Sequence, residues 1–207
     1  MMLAAAMLLP FASHAQTPMN VYVGDSTSTN QTYYLPVNNF YNYSLSRMII
    51  DVEEMGNAMS IDSISFYYIS NSMSNVGAKI YLVHTERSVF ANSTDFEVLP
   101  ADAQLVYRGP MNCTHGWNTF VFDSSFAYDG ESNLMVIVHA TLSRYAGSSY
   151  YFAYTNCTGN KSHNLYSDSY NPDPFSTTYS GTKAVYTYRP VMAFHGAETA
   201  VAGCRKV

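Results

Sequence analysis

Apolar and polar positions alternate with period two along most of the chain. In residues 64–69 (ISFYYI), Ile64, Phe66 and Tyr68 point one way. Residues 79–84 (KIYLVH) place Ile80 and Leu82 on one face. In residues 116–122 (GWNTFVF), Trp117 and Val121 share one face, and Phe120 and Phe122 the other. Residues 134–139 (LMVIVH) form a nearly unbroken apolar run, short enough to be a strand buried on both sides. Residues 150–154 and 184–194 complete the clear cases, and weaker strands are expected at 20–23, 32–37, 48–52 and 104–108. All are rich in Val, Ile, Tyr, Phe and Thr and are bounded by Gly, Asn, Asp, Ser or Pro. About ten short strands separated by turn clusters predict an all-β fold, an antiparallel, jelly-roll-like β-sandwich. Helix is nearly absent, since 88–96 contains the turn sequence Asn92-Ser93-Thr94-Asp95 and reads as a loop. The longest irregular loop is 166–178, where Pro172 and Pro174 deny the backbone ladder donors. No repeat or linker interrupts the body, so 19–195 is expected to be one domain. At this length about 70% of the unfolded surface can be buried, and no disulfide is required for stability.

The two chain ends change the picture. Residues 1–15 (MMLAAAMLLPFASHA) form an apolar run closing on Ser13-His14-Ala15, an A-x-A-like cleavage site of a signal peptide. The run is shorter than the ~20 residues that cross a bilayer. No Lys or Arg precedes it, so its start is expected to be truncated or misassigned. The mature chain is then secreted or held at the cell surface, with no membrane span, and 196–207 reads as a linker or the start of a following domain. Charged residues are 12% of the chain, about half the usual ~25%, and the net charge is −5. Disorder is excluded, because 47% of the chain is hydrophobic. Ten Lys and Arg against fifteen acids give no basic surface for nucleic acid. What stands out is 19 Tyr against one Trp, among 24 Ser, 16 Thr and 16 Asn.

Candidate chemistry is sparse. Hydrolase, zinc-protease, phosphate-loop and dinucleotide motifs are all missing, so no catalytic residue is assigned. His84 and His139 fall in strands and read as satisfied sheet residues; His115 and His163 sit near turns. Glu53-Glu54 are neighbours that a strand would point to opposite faces, so a solvated strand end explains them better than an acid–base pair. Cys113 and Cys157 both lie in Asn-Cys-Thr triplets. They form either a disulfide or two free thiols, and Cys204 stands apart; spacing leaves the choice open. No cofactor is called for, but calcium can be: Asp168, Asn171 and Asp173 cluster in one loop, with Asp168 and Asp173 as carboxylate ligands. Asp123, Asp129 and Glu131 form another acidic group. The competing reading of both groups is turn-forming Asx chemistry. Tyr150, Tyr151, Tyr166, Tyr170, Tyr179 and Trp117 offer aromatic faces for a sugar, most of all the loop residues.

Two segments carry a resemblance. Residues 27–50 (TSTNQTYYLPVNNFYNYSLSRMII) and 116–138 (GWNTFVFDSSFAYDGESNLMVIV), followed by YSDSYNPDP at 166–174, resemble the N-terminal β-sandwich module of secreted multidomain surface proteins of the Bacteroidetes. Arg47-Met48 departs from the more polar, Gln-rich segment of that family. The resemblance implies further domains in the same polypeptide, often fibronectin type III. The expected function is a non-catalytic extracellular binding or adhesion module for glycans or host surface proteins. The alternative is an accessory structural domain of a secreted peptidase or glycoside hydrolase.

Overall fold

A computed structural model of the chain describes residues 16–74, 76–95, 102–142, 150–176 and 178–199. The signal-peptide segment, Cys204 and the end of the tail lie outside them. Among the described residues thirteen strands and one short helix follow in the order β1 (Pro18–Val23), β2 (Gln31–Thr32), β3 (Tyr43–Ile50), α1 (Val52–Met55), β4 (Met59–Tyr68), β5 (Val76–Thr85), β6 (Gln104–Pro110), β7 (Gly116–Tyr128), β8 (Asn133–Leu142), β9 (Phe152–Asn156), β10 (Ser162–Ser167), β11 (Thr182–Tyr186), β12 (Tyr188–Pro190) and β13 (Met192–Glu198). They build two antiparallel sheets. In one, β13 lies between β1 and β4, β4 also pairs with β7, and β9 carries β2 and β12; the other has the order β11-β10-β3-β8-β5-β6. Among these pairings only β5–β6 and β10–β11 join consecutive strands, the crossed wiring of a Greek-key sandwich.

The alternation does what it predicts. Ile64, Phe66 and Tyr68 of β4 face Ile80 and Leu82 of β5 and Val136 and Val138 of β8 in one core, which gathers buried residues from Val21 to Phe194 and from both sheets. The unbroken run 134–139 has its own explanation. Leu134, Val136 and Val138 face that core, while Met135 and Ile137 belong to a second cluster with Leu45, Ile49, Tyr81, Val83, Phe90 and Leu165. This second cluster lies on the outer face of the six-stranded sheet, where the 88–95 loop brings in Phe90 and the 168–180 loop brings in Tyr179. Fully burying one such aliphatic or aromatic side chain is worth about 1.5–3 kcal/mol, so two irregular loops are held by ordinary apolar packing.

Four expectations need correction. Residues 184–194 are three strands, not one, because Arg189 and Pro190 carry the chain across to β9 before β13 begins. Residues 32–37 leave the sheet after Thr32 for a turn that includes Pro36, which has no N–H to give a ladder. Residues 52–55 are helical: Glu54 Oε2 accepts the Asp51 N–H at 3.2 Å, one half of a capping box. Glu54 is therefore no solvated strand end. The tail joins later than residue 195, since Gly196, Ala197 and Glu198 still pair with β1 or β4.

Candidate functional site

The outer face of the first sheet places Trp117 where its chemistry is usable. Strands β1, β13, β4 and β7 lie side by side, and register sets Tyr22, Ala193, Ser65 and Thr119 in one row and Tyr67 opposite Trp117 in the next. Ala193 and Ser65 are small, so Tyr22 leans across them to Trp117, ring centroids 5.7 Å apart. Trp117 meets Tyr67 at 5.2 Å, and Tyr67 meets His115 at 6.3 Å. Tyr22 is 62% exposed and Trp117 38%, an aromatic step open to solvent. Tyr67 and His115 also line a cleft of about 550 Å³, whose other walls are Ser26, Thr27, Ser28, Thr29, Gln31 and Ile69. Asp25 shapes that wall by accepting the Thr27 N–H at 2.8 Å and the Thr27 hydroxyl at 2.7 Å. No Asp, Glu, Lys or Arg lines the cleft.

A hydrogen-bonded rail runs beneath the step. His195 Nδ1 bonds Asn20 Oδ1 at 2.7 Å, His195 Nε2 bonds Ser65 Oγ at 2.8 Å, and Ser65 Oγ bonds Thr119 Oγ1 at 2.8 Å. With Nδ1–H donating to Asn20, Nε2 accepts from Ser65. A nucleophile, base and orienter follow one another in this order in hydrolases. Here Ser65 is 1% exposed and its oxygen is already shared with Thr119. It lies mid-strand, paired with Ala193 on one side and Thr119 on the other. The rail fastens four strands together; it does not present a nucleophile.

The other tyrosines divide. Tyr166 joins an array that the sequence does not announce. It lies 4.4 Å from Tyr41 and 6.5 Å from Tyr34; Tyr34 stacks on Tyr186 at 5.6 Å, Tyr186 meets Tyr188 at 4.9 Å, and Tyr188 meets Tyr154 at 4.3 Å. Tyr33 ties in Phe40 at 4.5 Å and Tyr151 at 5.9 Å, and its hydroxyl bonds that of Tyr34 at 2.9 Å. The Tyr33 bond, then burial, push the Tyr34 phenol up, and burial does the same for Tyr186. All these rings are half-buried. Tyr170 and Tyr179 do not join them. The Tyr170 hydroxyl donates to Thr178 O at 2.9 Å, closing its own loop. Tyr179 accepts from Arg47 Nη2 at 2.7 Å and lies across that guanidinium, which is 1% exposed. The two tyrosines expected to be most ligand-like are thus engaged in holding the 168–180 loop. Tyr150 packs against the main core.

The calcium candidates all hydrogen-bond within the protein. Asp168 Oδ1 accepts the Asn42 N–H at 3.2 Å, and Asp173 Oδ1 accepts the Phe175 N–H at 2.9 Å. Asn171 Oδ1 meets His139 Nε2 at 2.7 Å. Among the described residues no three His, Cys, Asp or Glu side chains converge as metal ligands. Asp129 likewise closes a turn through the Glu131 and Ser132 amides, both at 2.9 Å. The disulfide alternative is corrected: Cys113 and Cys157 are free thiols. Cys113 bridges to Met73 near the Tyr68–Phe152 end of β9, whereas Cys157 follows the opposite end. Five residues of strand, about 16 Å, separate these ends, and a disulfide needs Cα atoms within about 7 Å. Burial pushes the Cys113 thiol up to about 12, so it is an inert core side chain.

A polar cleft of about 500 Å³ lies beside Cys157, lined by Asp51, Glu54, Lys161 and Arg189. Its charges pair internally. Lys161 Nζ bonds Asp51 Oδ1 at 2.5 Å and Ser88 O at 2.7 Å; Arg189 Nη2 bonds Glu54 Oε1 at 2.5 Å. Burial would raise the Glu54 carboxyl, but the bond and charge of Arg189 outweigh it and hold the carboxyl low. This is a fastening of α1 to β10 and β12.

The chain was compared with known families and with curated proteins: no family model and no curated protein matches it. Among the described residues no helix is long and apolar enough to cross a membrane.

Proposed function

We propose that the chain is a non-catalytic extracellular binding module whose Tyr67–His115 cleft, with Trp117 beside it, takes a neutral saccharide. One observation carries this reading. An exposed aromatic step, Tyr22–Trp117–Tyr67, runs into a cleft lined by hydroxyl, amide and imidazole groups and by no formal charge. Sugars offer apolar C–H faces to aromatic rings and hydroxyls to polar handles, and the cleft volume lies within the 300–1,000 Å³ of small-ligand sites. Residues 20–23, 65–67, 117–119 and 193–195 are strands of one hydrogen-bonded sheet, so the platform is rigid before any ligand arrives. The export-like segment 1–15 supports a place outside the cell, secreted or on the surface. The resemblance of 27–50 and 116–138 supports a Bacteroidetes surface protein with further domains.

The test is a glycan array followed by calorimetry with the best neutral hits. Trp117→Ala is expected to weaken binding about tenfold or more, the usual cost of truncating an aromatic anchor. Tyr170→Ala, on the distant loop, should leave it unchanged. Silence of the wild type across neutral glycans, or full affinity in Trp117→Ala, would falsify the proposal.

A further inference from the structure

The outer face of the six-stranded sheet holds another cavity, whose lining differs in character from the uncharged Tyr67–His115 cleft. Register places Arg108 of β6 opposite Lys79 of β5, and Lys79 opposite His139 of β8. Two cations, Arg108 and Lys79, therefore stand side by side on one face, and the His139 imidazole, whose pKa burial lowers, comes next in the row. Like charges placed directly opposite each other weaken a sheet, so the Lys79–Arg108 pair costs stability unless something negative lies over it. Among the described residues neither Lys79 nor Arg108 forms an ion pair. Asp173 lines the neighbouring hollow together with Lys79 and His139, and its Oδ1 accepts the Phe175 amide at 2.9 Å.

The space is built as well as charged. In the row beyond Lys79 the face carries Gly77 between Pro110 and Thr141. A position without a side chain leaves a depression of about 330 Å³, lined by Gly77, Lys79, Arg108, Gly109, His139, Thr141 and Asn171. A second hollow of about 270 Å³ shares Lys79, His139 and Asn171 with it. Asn171 Oδ1 holds His139 Nε2 at 2.7 Å, which fixes the imidazole, itself only 8% exposed, as one wall. The Thr141 hydroxyl and the Asn171 amide add neutral hydrogen-bonding groups.

We propose that this cavity binds an oxyanion group, a carboxylate or sulfate ester carried on a small polar molecule such as an acidic sugar. Arg108 supplies planar, paired donors and Lys79 a point charge, the combination that suits a multi-oxygen anion. The whole chain carries −5, so a general attraction for anions is not the cause; the local row is. The site lies on the opposite sheet from the Tyr67–His115 cleft and does not depend on it.

Four probes decide the matter by calorimetry and by the His139 ring resonances: glucuronate, glucose 6-sulfate, inorganic sulfate and glucose. Glucuronate and glucose 6-sulfate are expected to bind saturably and move the His139 signals, while glucose leaves those signals in place. Lys79→Gln/Arg108→Gln should weaken anion binding at least tenfold, with a melting temperature no lower than that of the wild type certifying the fold. Trp117→Ala should leave it intact, which separates this site from the neutral-sugar cleft. Inorganic sulfate matching both sugars assigns the site to the bare oxyanion; tighter sugars assign it to an acidic saccharide. Absence of any saturable shift with all three anions, or equal affinity in the double variant, overturns the proposal.

Discussion

His163 shows how far a residue's surroundings decide its behaviour. It sits near a turn, and the sequence does not tell whether it is buried. The structure buries it completely on the outer face of β10, with Nε2 2.9 Å from Ser93 O and the ring 5.6 Å from Phe90. Burial, with smaller contributions from Arg47 and Lys183, lowers its pKa to about 4. The unfolded chain takes up this proton near 6.5 while the folded chain does not. Stability is therefore flat in this group above pH 6.5 and falls as pH drops from 6.5 toward 4, by about 3 kcal/mol in all. Urea melts at pH 7, 5.5 and 4.5 should show the decline, and His163→Gln should remove most of it. His139 and His195, lowered chiefly by burial, add slope of the same sign, so the difference between the two proteins is the quantity to read. An equal slope in both would assign the decline to other groups.

At the scale of elements, polar fastenings decide where strands begin and end. Helix α1 is four residues long, too short to persist by its own propensity. Asp51 and Glu54 hold it through Lys161 and Arg189, whose side chains are 9% and 3% exposed. Removing one partner of a buried pair costs about 3–5 kcal/mol, because the remaining charge is left unpaired. Glu54 is about one-third exposed, so water will recover part of that. Glu54→Gln is expected to cost about 2 kcal/mol in denaturant melts at unchanged slope; a cost under about 0.5 kcal/mol would mark the pair as ornamental, as exposed pairs often are. Asp51 and Glu54 are visible in the sequence, but their partners Lys161 and Arg189 lie more than a hundred residues away, beyond any local pattern. The same holds for β11, β12 and β13. Their composition is continuous, and only the pairing of β12 with β9 cuts the run.

For the whole molecule, the decisive feature is a sheet covered on both faces. The main core closes between the sheets, and the second cluster closes under two loops that have no regular structure. Phe90 is the keystone of the 88–95 loop, 1% exposed, with its backbone tied to Asn160 at 2.8 and 2.9 Å. Phe90→Ala should cost about 3–4 kcal/mol and raise amide exchange in 88–95 and in β10 while sparing β4 and β13; uniform loosening would mean that the two clusters are one cooperative unit. Much of this was legible in the chain. Alternation of period two follows from the pleat, which needs no partner to act, so Ile64, Phe66, Tyr68, Ile80 and Leu82 declared their face and the antiparallel sandwich followed. The unbroken run 134–139 declared a strand buried twice. Trp117 and Asn171 stand out as candidates along the chain, but no local pattern shows what lies beside them. Register is a property of pairs of strands distant in sequence. It put Tyr22 and Tyr67 beside Trp117, brought Tyr154 and Tyr188 together, and set Arg108, Lys79 and His139 in a row. The sequence by itself determined the strands and the faces they bury, because those depend on local geometry and on the cost of wetting apolar surface. Tertiary structure alone decided which polar and aromatic groups share a site, because contacts between strands are fixed by hydrogen-bond register and not by spacing along the chain.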